Sequence, residues 1–429
     1  MEIYIFLTLQ KYQLIYIYSY FLYNNIDIMK KNKNRVKVRV FKDLNKPILI
    51  LTLIYAVMGA FFILDASHIS SVLVYGNGTP YYYFTRQLAV VGGSLLVSLA
   101  VINIPTNKYL LSSTLLSSSF IVIMLVLLIR NSINTSVNEV TLSIAGGSFQ
   151  VAEPMKVFLI MFMSSFLSIW TNKKNHRWWT MLIPIGLCIL SAAIIYFGGD
   201  FGSAAIMAVL YVLVFLSLPS TEKYIRIMKL VACICLIGGV LFLKFGYLII
   251  PEEKMLNDYR WSRFNYKNPC DRYEDVSGYQ VCNGYIAIDN GGVKGTGIGN
   301  SVQKYMYLPA SHTDFIFPIV VEEFGIIIAV LVIIGYMVII ALVFNVAKKS
   351  KNLQNSMIAY GIGIYFMLHI FVNLGGVLGV IPLTGVPLPF LSYGGTFCLT
   401  IICSFAVVQR IHIENMAEKR NRLLEGEEE

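Results

Sequence analysis

Charge is what this sequence has least of. Asp, Glu, Lys and Arg make up 14% of its 429 residues against 56% apolar, and the mean hydropathy is +0.66. Soluble globular domains carry about 25% charged residues, so a water-soluble fold is excluded and a chain threaded through lipid is implied. Histidine is also scarce: there are five, and none accompanies His312 at metal-ligand spacing, which leaves His312 as a hydrogen-bonding loop residue or a cavity residue. Residues 1–28 hold a single basic residue, Lys11, with no basic amino-terminal region and no small-residue cleavage site, which excludes a secretory signal. Residues 1–28 read either as an over-extended start ahead of Met29 or as an interfacial helix. The glycines at 291, 292, 295, 297 and 299 match no phosphate-loop pattern, which excludes a nucleotide site of that kind.

What is abundant is apolar sequence in runs of spanning length. A membrane helix needs about 20 such residues. Ten runs qualify, near 47–66, 84–104, 109–129, 154–170, 180–198, 203–218, 230–250, 315–345, 355–379 and 393–409. The fold expected is an all-α polytopic membrane protein of about ten transmembrane helices, with one large extracytoplasmic loop, 251–314, between helices 7 and 8. Residues 1–46 form a cytoplasmic leader segment, 47–409 one membrane domain, and 410–429 a cytoplasmic tail. Lys30 to Arg39, Lys173 to Arg177, Lys223 to Lys229 and Lys348 to Lys351 fall in alternate connections, so these face the cytoplasm, as do both termini. The net charge of +10 is then an orientation device with an attraction to anionic lipid; nucleic acid is not a partner.

Ionisable residues beside apolar runs are costly, about 2.5–3.5 kcal/mol at a helix centre. Asp65, Arg86, Glu153, Lys156, Asp200, Asp314, Glu322 and Glu323 all fall toward the outer ends of their helices. Each could be an interfacial charge reaching water, but their shared side suggests a site. Glu153 and Lys156, three apart, can pair on one helix face. The glycine-rich stretch 278–325 is the one long polar insertion, and Asp314 lies where it meets the next apolar run. Between the ninth and tenth runs, Pro382 to Gly395 (PLTGVPLPFLSYGG) breaks the helical pattern and reads as a re-entrant segment lining a cavity, since non-helical backbone at membrane depth needs protein or water around it.

Several of these stretches together resemble the SEDS (shape, elongation, division and sporulation) family of bacterial cell-wall glycosyltransferases. The carriers are Gly299-Asn-Ser301 with Lys304, Tyr307-Leu-Pro309, His312-Thr-Asp314, Glu322-Glu323 and Gly385 to Gly395, which contains Pro387, Ser392, Gly394 and Gly395. Weaker matches are Arg86-Gln87, Gln150 with Glu153 and Lys156, Asp200-Phe-Gly-Ser203, Arg260 with Arg263, and Asn373. The pattern is more similar to the division branch than to the elongation branch. Ala310, Gly199, Asp65 and Phe397 depart from residues usual in the family, Glu, Pro, Ser and Ser respectively.

The resemblance implies polymerisation of lipid II on the outer face of the bacterial cytoplasmic membrane, with a class B penicillin-binding protein and other division proteins as partners. It makes Asp314 the candidate general base. Arg86, Glu153, Lys156, Asp200, Arg260, Arg263, Lys304, His312, Glu322, Glu323, Pro387, Ser392, Gly394 and Gly395 are then expected to contact substrate or shape the cavity. A divalent cation, magnesium or manganese, is the only cofactor considered for the pyrophosphate leaving group, and no metal site is assigned. A lipid-linked precursor flippase and a non-catalytic division scaffold are the competing readings. The first would place charges at the midplane on paired broken helices.

Read from the residues alone, Cys270 and Cys282 form a disulfide in the outer loop, on the oxidising side of the membrane; a reducing niche would leave both as thiols. Closing a loop of that length stabilises by about 3 kcal/mol in the chain-entropy model. Mass spectrometry of non-reduced peptides is expected to find Cys270 and Cys282 linked, and two alkylatable thiols in protein isolated without reductant would exclude the bond.

Overall fold

The computed structural model describes residues 39–74, 79–133, 141–144, 147–172, 178–220, 222–250, 261, 263–273 and 276–425. Residues 1–38 of the amino-terminal leader and Arg260 lie outside the described residues. Among the described residues eleven α-helices run in chain order: α1 (Lys46–Val74), α2 (Tyr82–Ile102), α3 (Tyr109–Ile133), α4 (Ala152–Asn172), α5 (Leu182–Phe197), α6 (Phe201–Leu216), α7 (Lys223–Ile249), α8 (Val276–Gly291), α9 (Ile316–Lys349), α10 (Leu353–Val377) and α11 (Gly395–Glu425). Among the described residues nine helices are long and apolar enough to cross a membrane, and α6, at 16 residues, is a shorter apolar tenth. The chain is a multi-pass membrane protein.

Each of the ten expected runs is a helix, and two elements were not foreseen. One is a hairpin of β1 (Thr141–Ile144) and β2 (Gly147–Gln150), paired antiparallel with Leu142 opposite Phe149. The other is α8, inside the large loop, whose sequence holds three glycines and reads as a turn-rich loop. Those glycines are packing residues. A Cβ at Gly278 would stand 2.2 Å from the Arg272 carbonyl oxygen, and one at Gly291 would stand 2.1 Å from that of Val321. The absent side chains let α8 lie directly against its neighbours. Cys270 and Cys282, the latter on α8, stand at a bonded sulfur separation of 2.07 Å with Cα atoms 5.0 Å apart.

The bundle has a clear inside and outside. α4, α10 and α11 form its centre, whereas only 6% of the apolar stretch of α7 is buried, so α7 lies at the periphery. α9 is two helical pieces joined at Gly325, and its second piece, residues 326–349, is about 36 Å at 1.5 Å per residue, enough for a hydrocarbon core of about 30 Å. The glycine-rich loop folds onto the turns before the kink, where Glu322 and Glu323 accept its backbone amides. The helix kinks at Gly325, whose φ of 79° no other residue takes easily, and the Ile326 amide there donates to the Gly292 carbonyl at 3.0 Å.

Residues 381–394 are non-helical and largely buried among α1, α2, α9 and α10. This is the re-entrant segment expected from its prolines and glycines. Its backbone is satisfied by side chains: Tyr336 donates its hydroxyl to the Pro389 carbonyl, and Ser392 accepts from the Leu388 amide at 2.8 Å. α1 approaches it so closely at Gly59 that a Cβ would meet the Phe390 carbonyl oxygen at 2.0 Å. Gly59→Ala is accordingly expected to cost about 1–3 kcal/mol and lower the thermal midpoint in detergent. Gly92→Ala, with nothing within 4 Å of the added carbon, is the control expected to be neutral or stabilising. Equal midpoints for the two variants would show that the segment yields at Phe390.

Candidate active site

Asp314 closes a tight turn just ahead of α9. The Ala310 carbonyl accepts from the Thr313 amide at 3.0 Å, the Thr313 hydroxyl at 3.1 Å and the Phe315 amide at 3.3 Å, which fixes the turn. Asn373 of α10 donates to the Asp314 backbone carbonyl at 2.8 Å and to the Val386 carbonyl at 2.8 Å. The re-entrant segment completes the seat. Ser392 donates to the Thr313 carbonyl at 2.6 Å, the Tyr393 amide donates to the His312 carbonyl at 2.9 Å, and Asp314 Oδ2 lies 4.0 Å from where a Cβ of Gly385 would be. Side chains from α10 and the re-entrant segment thus hold the backbone that carries the carboxylate, which itself accepts from the Thr313 hydroxyl at 3.1 Å.

Burial pushes the Asp314 carboxyl above its ordinary range, against the Thr313 hydrogen bond and the nearby Arg263 charge, which pull it down. Arg263 donates to the Thr384 carbonyl at 3.2 Å, on the same segment. Burial lowers His312 to about 4, so its ring is neutral near pH 7; it packs 4.3 Å from the Tyr83 ring, and its Nδ1 has no hydrogen-bond partner. The ring also meets that of Tyr393, at 6.0 Å.

Lys304, Glu322 and Glu323 form a second, buried cluster. Glu322 accepts from the Ser301 hydroxyl, the amides of Val302 and Gln303 at 3.2 and 3.3 Å, and Asn290 at 3.1 Å. Glu323 accepts from the Ser301 amide at 3.1 Å and pairs with Lys304 at 2.6 Å, while Lys304 also reaches Asp65 of α1 at 3.0 Å. Burial works against the Lys304 ammonium, but hydrogen bonds to Glu323 and Asp65 outweigh it and raise its pKa. These side chains are occupied in pinning the loop to α9 and α1. The same α1 turn holds Asp314's own loop, because Ser311 donates to the Ala66 carbonyl at 3.3 Å.

Asp200 caps α6, accepting from the Ser203 amide at 2.9 Å. The cap abuts the re-entrant segment: a Cβ at Gly202 would lie 2.5 Å from the Thr384 carbonyl oxygen. Gly199 before it has φ 90°, a conformation closed to proline, so the turn into Asp200 takes its own course here. Arg86, in the first turns of α2, lies 4.4 Å over the Tyr82 ring. Its neighbour Gln87 accepts from the Gly394 amide at 3.5 Å; Gly395 opens α11, and Pro387 is partly exposed on the segment.

Glu153 and Lys156 of α4 pair at 2.7 Å in the bundle interior, with side-chain exposures of 2% and 0%. Tyr365 of α10 donates to the second Glu153 oxygen at 2.8 Å, and Tyr211 donates to the Lys156 carbonyl at 3.3 Å. His369 Nε2 lies 3.8 Å from the same Glu153 oxygen. Neither Tyr365 nor His369 was singled out from sequence. With Asn373 they fall at i, i+4 and i+8, one polar line along an otherwise apolar helix, and that spacing was the available signal. Among the described residues no three His, Cys, Asp or Glu side chains converge as a metal cage.

Removing either partner of the buried pair is expected to cost about 3–5 kcal/mol, since one charge is stranded. Glu153→Ala with Lys156→Ala should cost far less than the sum of the single losses, measured by thermal unfolding in detergent. Additive losses would mean two independent, water-reaching side chains.

A family model for the FtsW, RodA and SpoVE cell cycle proteins matches residues 45–417. The probable peptidoglycan glycosyltransferase FtsW of Bacillus subtilis strain 168 is 30% identical over 371 residues, 84% of this chain and 89% of its own. The corresponding Enterococcus hirae protein is 33% identical over 285 residues, 66% of this chain and 70% of its own. Among solved structures, a chain of a peptidoglycan synthase complex that coordinates polymerization and crosslinking matches with a TM-score of 0.63 at 18% identity, over 87% of this chain and 98% of its own. The Thermus thermophilus rod shape determining protein RodA matches with a TM-score of 0.59 at 17% identity, over 86% of this chain and 96% of its own. With its family model covering nearly the whole membrane bundle and its fold shared with RodA, the chain belongs to the FtsW/RodA/SpoVE family.

Proposed function

We propose that this protein is a peptidoglycan glycosyltransferase that polymerises lipid II into glycan strands during cell division, at the outer face of the bacterial cytoplasmic membrane, with both termini in the cytoplasm. The observation that carries the reading is the seat of Asp314: a single carboxylate, raised toward neutrality by burial, held rigidly by Asn373 and the re-entrant segment where the loop enters the bundle. A sugar hydroxyl is a weak nucleophile, and a base whose pKa approaches the working pH takes its proton most effectively.

In this reading the acceptor hydroxyl oxygen forms a bond to the anomeric carbon of the donor sugar. The bond from that carbon to the lipid pyrophosphate breaks, the electron pair leaves with the pyrophosphate, and the hydroxyl proton passes to Asp314. Arg263, which hydrogen-bonds Thr384 beside Asp314, supplies positive charge for the departing anion, and Arg86 flanks the same segment. Lys304 is not assigned there, because Asp65 and Glu323 already hold its ammonium. The lipid tail would run along the apolar helix surfaces. A class B penicillin-binding protein that cross-links the product is the partner proposed, in keeping with the synthase complex that shares this fold, and other division proteins assemble around the pair.

Purified full-length protein supplied with lipid II tests the assignment. Asp314→Asn should lower glycan synthesis by at least about 100-fold while the thermal midpoint stays near that of the unaltered protein. The rate should also fall as pH drops through a pKa above the ordinary carboxylate value, because the base works only when ionised and burial favours its protonated form. Near-normal synthesis by Asp314→Asn would remove this carboxylate from the mechanism.

A further inference from the structure

Beyond the seat of Asp314, the bundle contains a buried imidazole that the proposed chemistry does not use. His369 is fully buried on α10. Its ring stacks on Phe397 of α11 at 4.6 Å with planes 27° apart, and meets Tyr365 edge-on at 4.7 Å. Neither ring nitrogen makes a hydrogen bond of good geometry. Two acceptors are nevertheless beside it: the Glu153 carboxylate, 3.8 Å from Nε2, and the backbone carbonyl of Pro387 in the re-entrant segment.

A neutral imidazole has one N–H and therefore satisfies one acceptor at a time. An unmade hydrogen bond in a dry interior is costly, so a movement of about 1 Å that closes one of these contacts is favoured over the open arrangement. Which contact closes decides whether the ring ties α10 to α4 or to the re-entrant segment. One turn along the same face of α10, Asn373 bridges the carbonyls of Asp314 and Val386 at 2.8 Å each. Tyr365, one turn the other way, is tied to Glu153 at 2.8 Å.

We propose that His369 is a positioning residue for the glycosyl transfer: by hydrogen-bonding the Glu153 carboxylate or the Pro387 carbonyl it couples the buried Glu153–Lys156 pair to the seat that Asn373 and the re-entrant segment make for Asp314. The proposal rests on Asp314 as the base. It gives the ion pair, remote from the reacting atoms, a physical route to them, through one rigid helix face and one side chain with two partners.

The test compares kcat and KM on lipid II with the thermal midpoint, in purified full-length protein. His369→Leu removes both nitrogens and should lower kcat about 10- to 100-fold, the scale of a misplacement of about 1 Å, with KM within about twofold. Its midpoint should stay the same or rise, because it deletes a buried polar group that lacks good hydrogen bonds. His369→Gln, which keeps a donor and an acceptor near the Nε2 position, should restore most of kcat. His369→Leu combined with Glu153→Gln should lose little more than the worse single variant. Wild-type kcat in His369→Leu would overturn the proposal, as would a loss that tracks the fall in midpoint and is not restored by Gln. If the leucine variant fails to insert, His369→Asn, which retains only the nearer polar position, carries the same comparison against Gln. Activity of Asp314→Asn would overturn the base assignment separately, since the coupling between positions 369 and 153 is read without it.

Discussion

One carboxamide bears on the whole site. Asn373 donates both its hydrogens to backbone carbonyls, one on Asp314 and one on Val386, and so joins a helix, a loop turn and a re-entrant segment at a single buried point. Non-helical backbone cannot remain in the interior of a membrane bundle unless such groups satisfy it. The same bonds that make residues 381–394 tolerable therefore also locate the carboxylate. Positioning and solvation of the backbone are one constraint here, which is why prolines and glycines that would weaken a helix are used beside the reacting group.

The buried charges divide by what holds them. Glu322 and Glu323 accept backbone amides from 301–303, and Lys304 spans Glu323 and Asp65, so that cluster folds the loop onto α9 and α1. Glu153 and Lys156 instead stand deep among helices, with Tyr365 and His369 around them. Buried pairs of this kind contribute little net stability compared with an apolar replacement, because desolvation offsets their attraction. A pair retained at that cost, and connected by α10 to Asn373, is better explained by geometry it imposes than by stability it adds.

Much of this was readable in the sequence. Spans of apolar residues follow from the length of lipid they must cross, so the ten runs emerge as helices, and the proline- and glycine-rich stretch emerges as the break between them. Asp314 stood out because a charge at the edge of an apolar run needs a reason. What escaped were features that depend on neighbours distant in sequence. α8 hid behind glycines whose purpose is contact with Arg272 and Val321, and Lys304 gave no sign that Asp65 would meet it from the other end of the chain. His369 went unmarked because Phe397 and Glu153, which surround it, lie far from it in sequence.

The end of the bundle remote from Asp314 is tied in a different manner. Arg410 pairs with Glu414 at 2.8 Å, Glu414 accepts from the Thr106 amide at 3.0 Å and Asn355 at 3.3 Å, and Arg420 makes a two-pronged pair with Asp43 at 2.7 Å. Asn45 and Gln409 exchange hydrogen bonds at 2.8 and 3.0 Å. These side chains knit α11 to the start of α1, to the turn before α3 and to the start of α10, so the long carboxyl-terminal helix continues as part of the body past its spanning length. At the other end the corresponding ties are the hydrogen bonds that Asn373 and Ser392 make to the turn of Asp314. Each of them bears on rate, because a misplacement of about 1 Å near reacting atoms can cost about 100-fold.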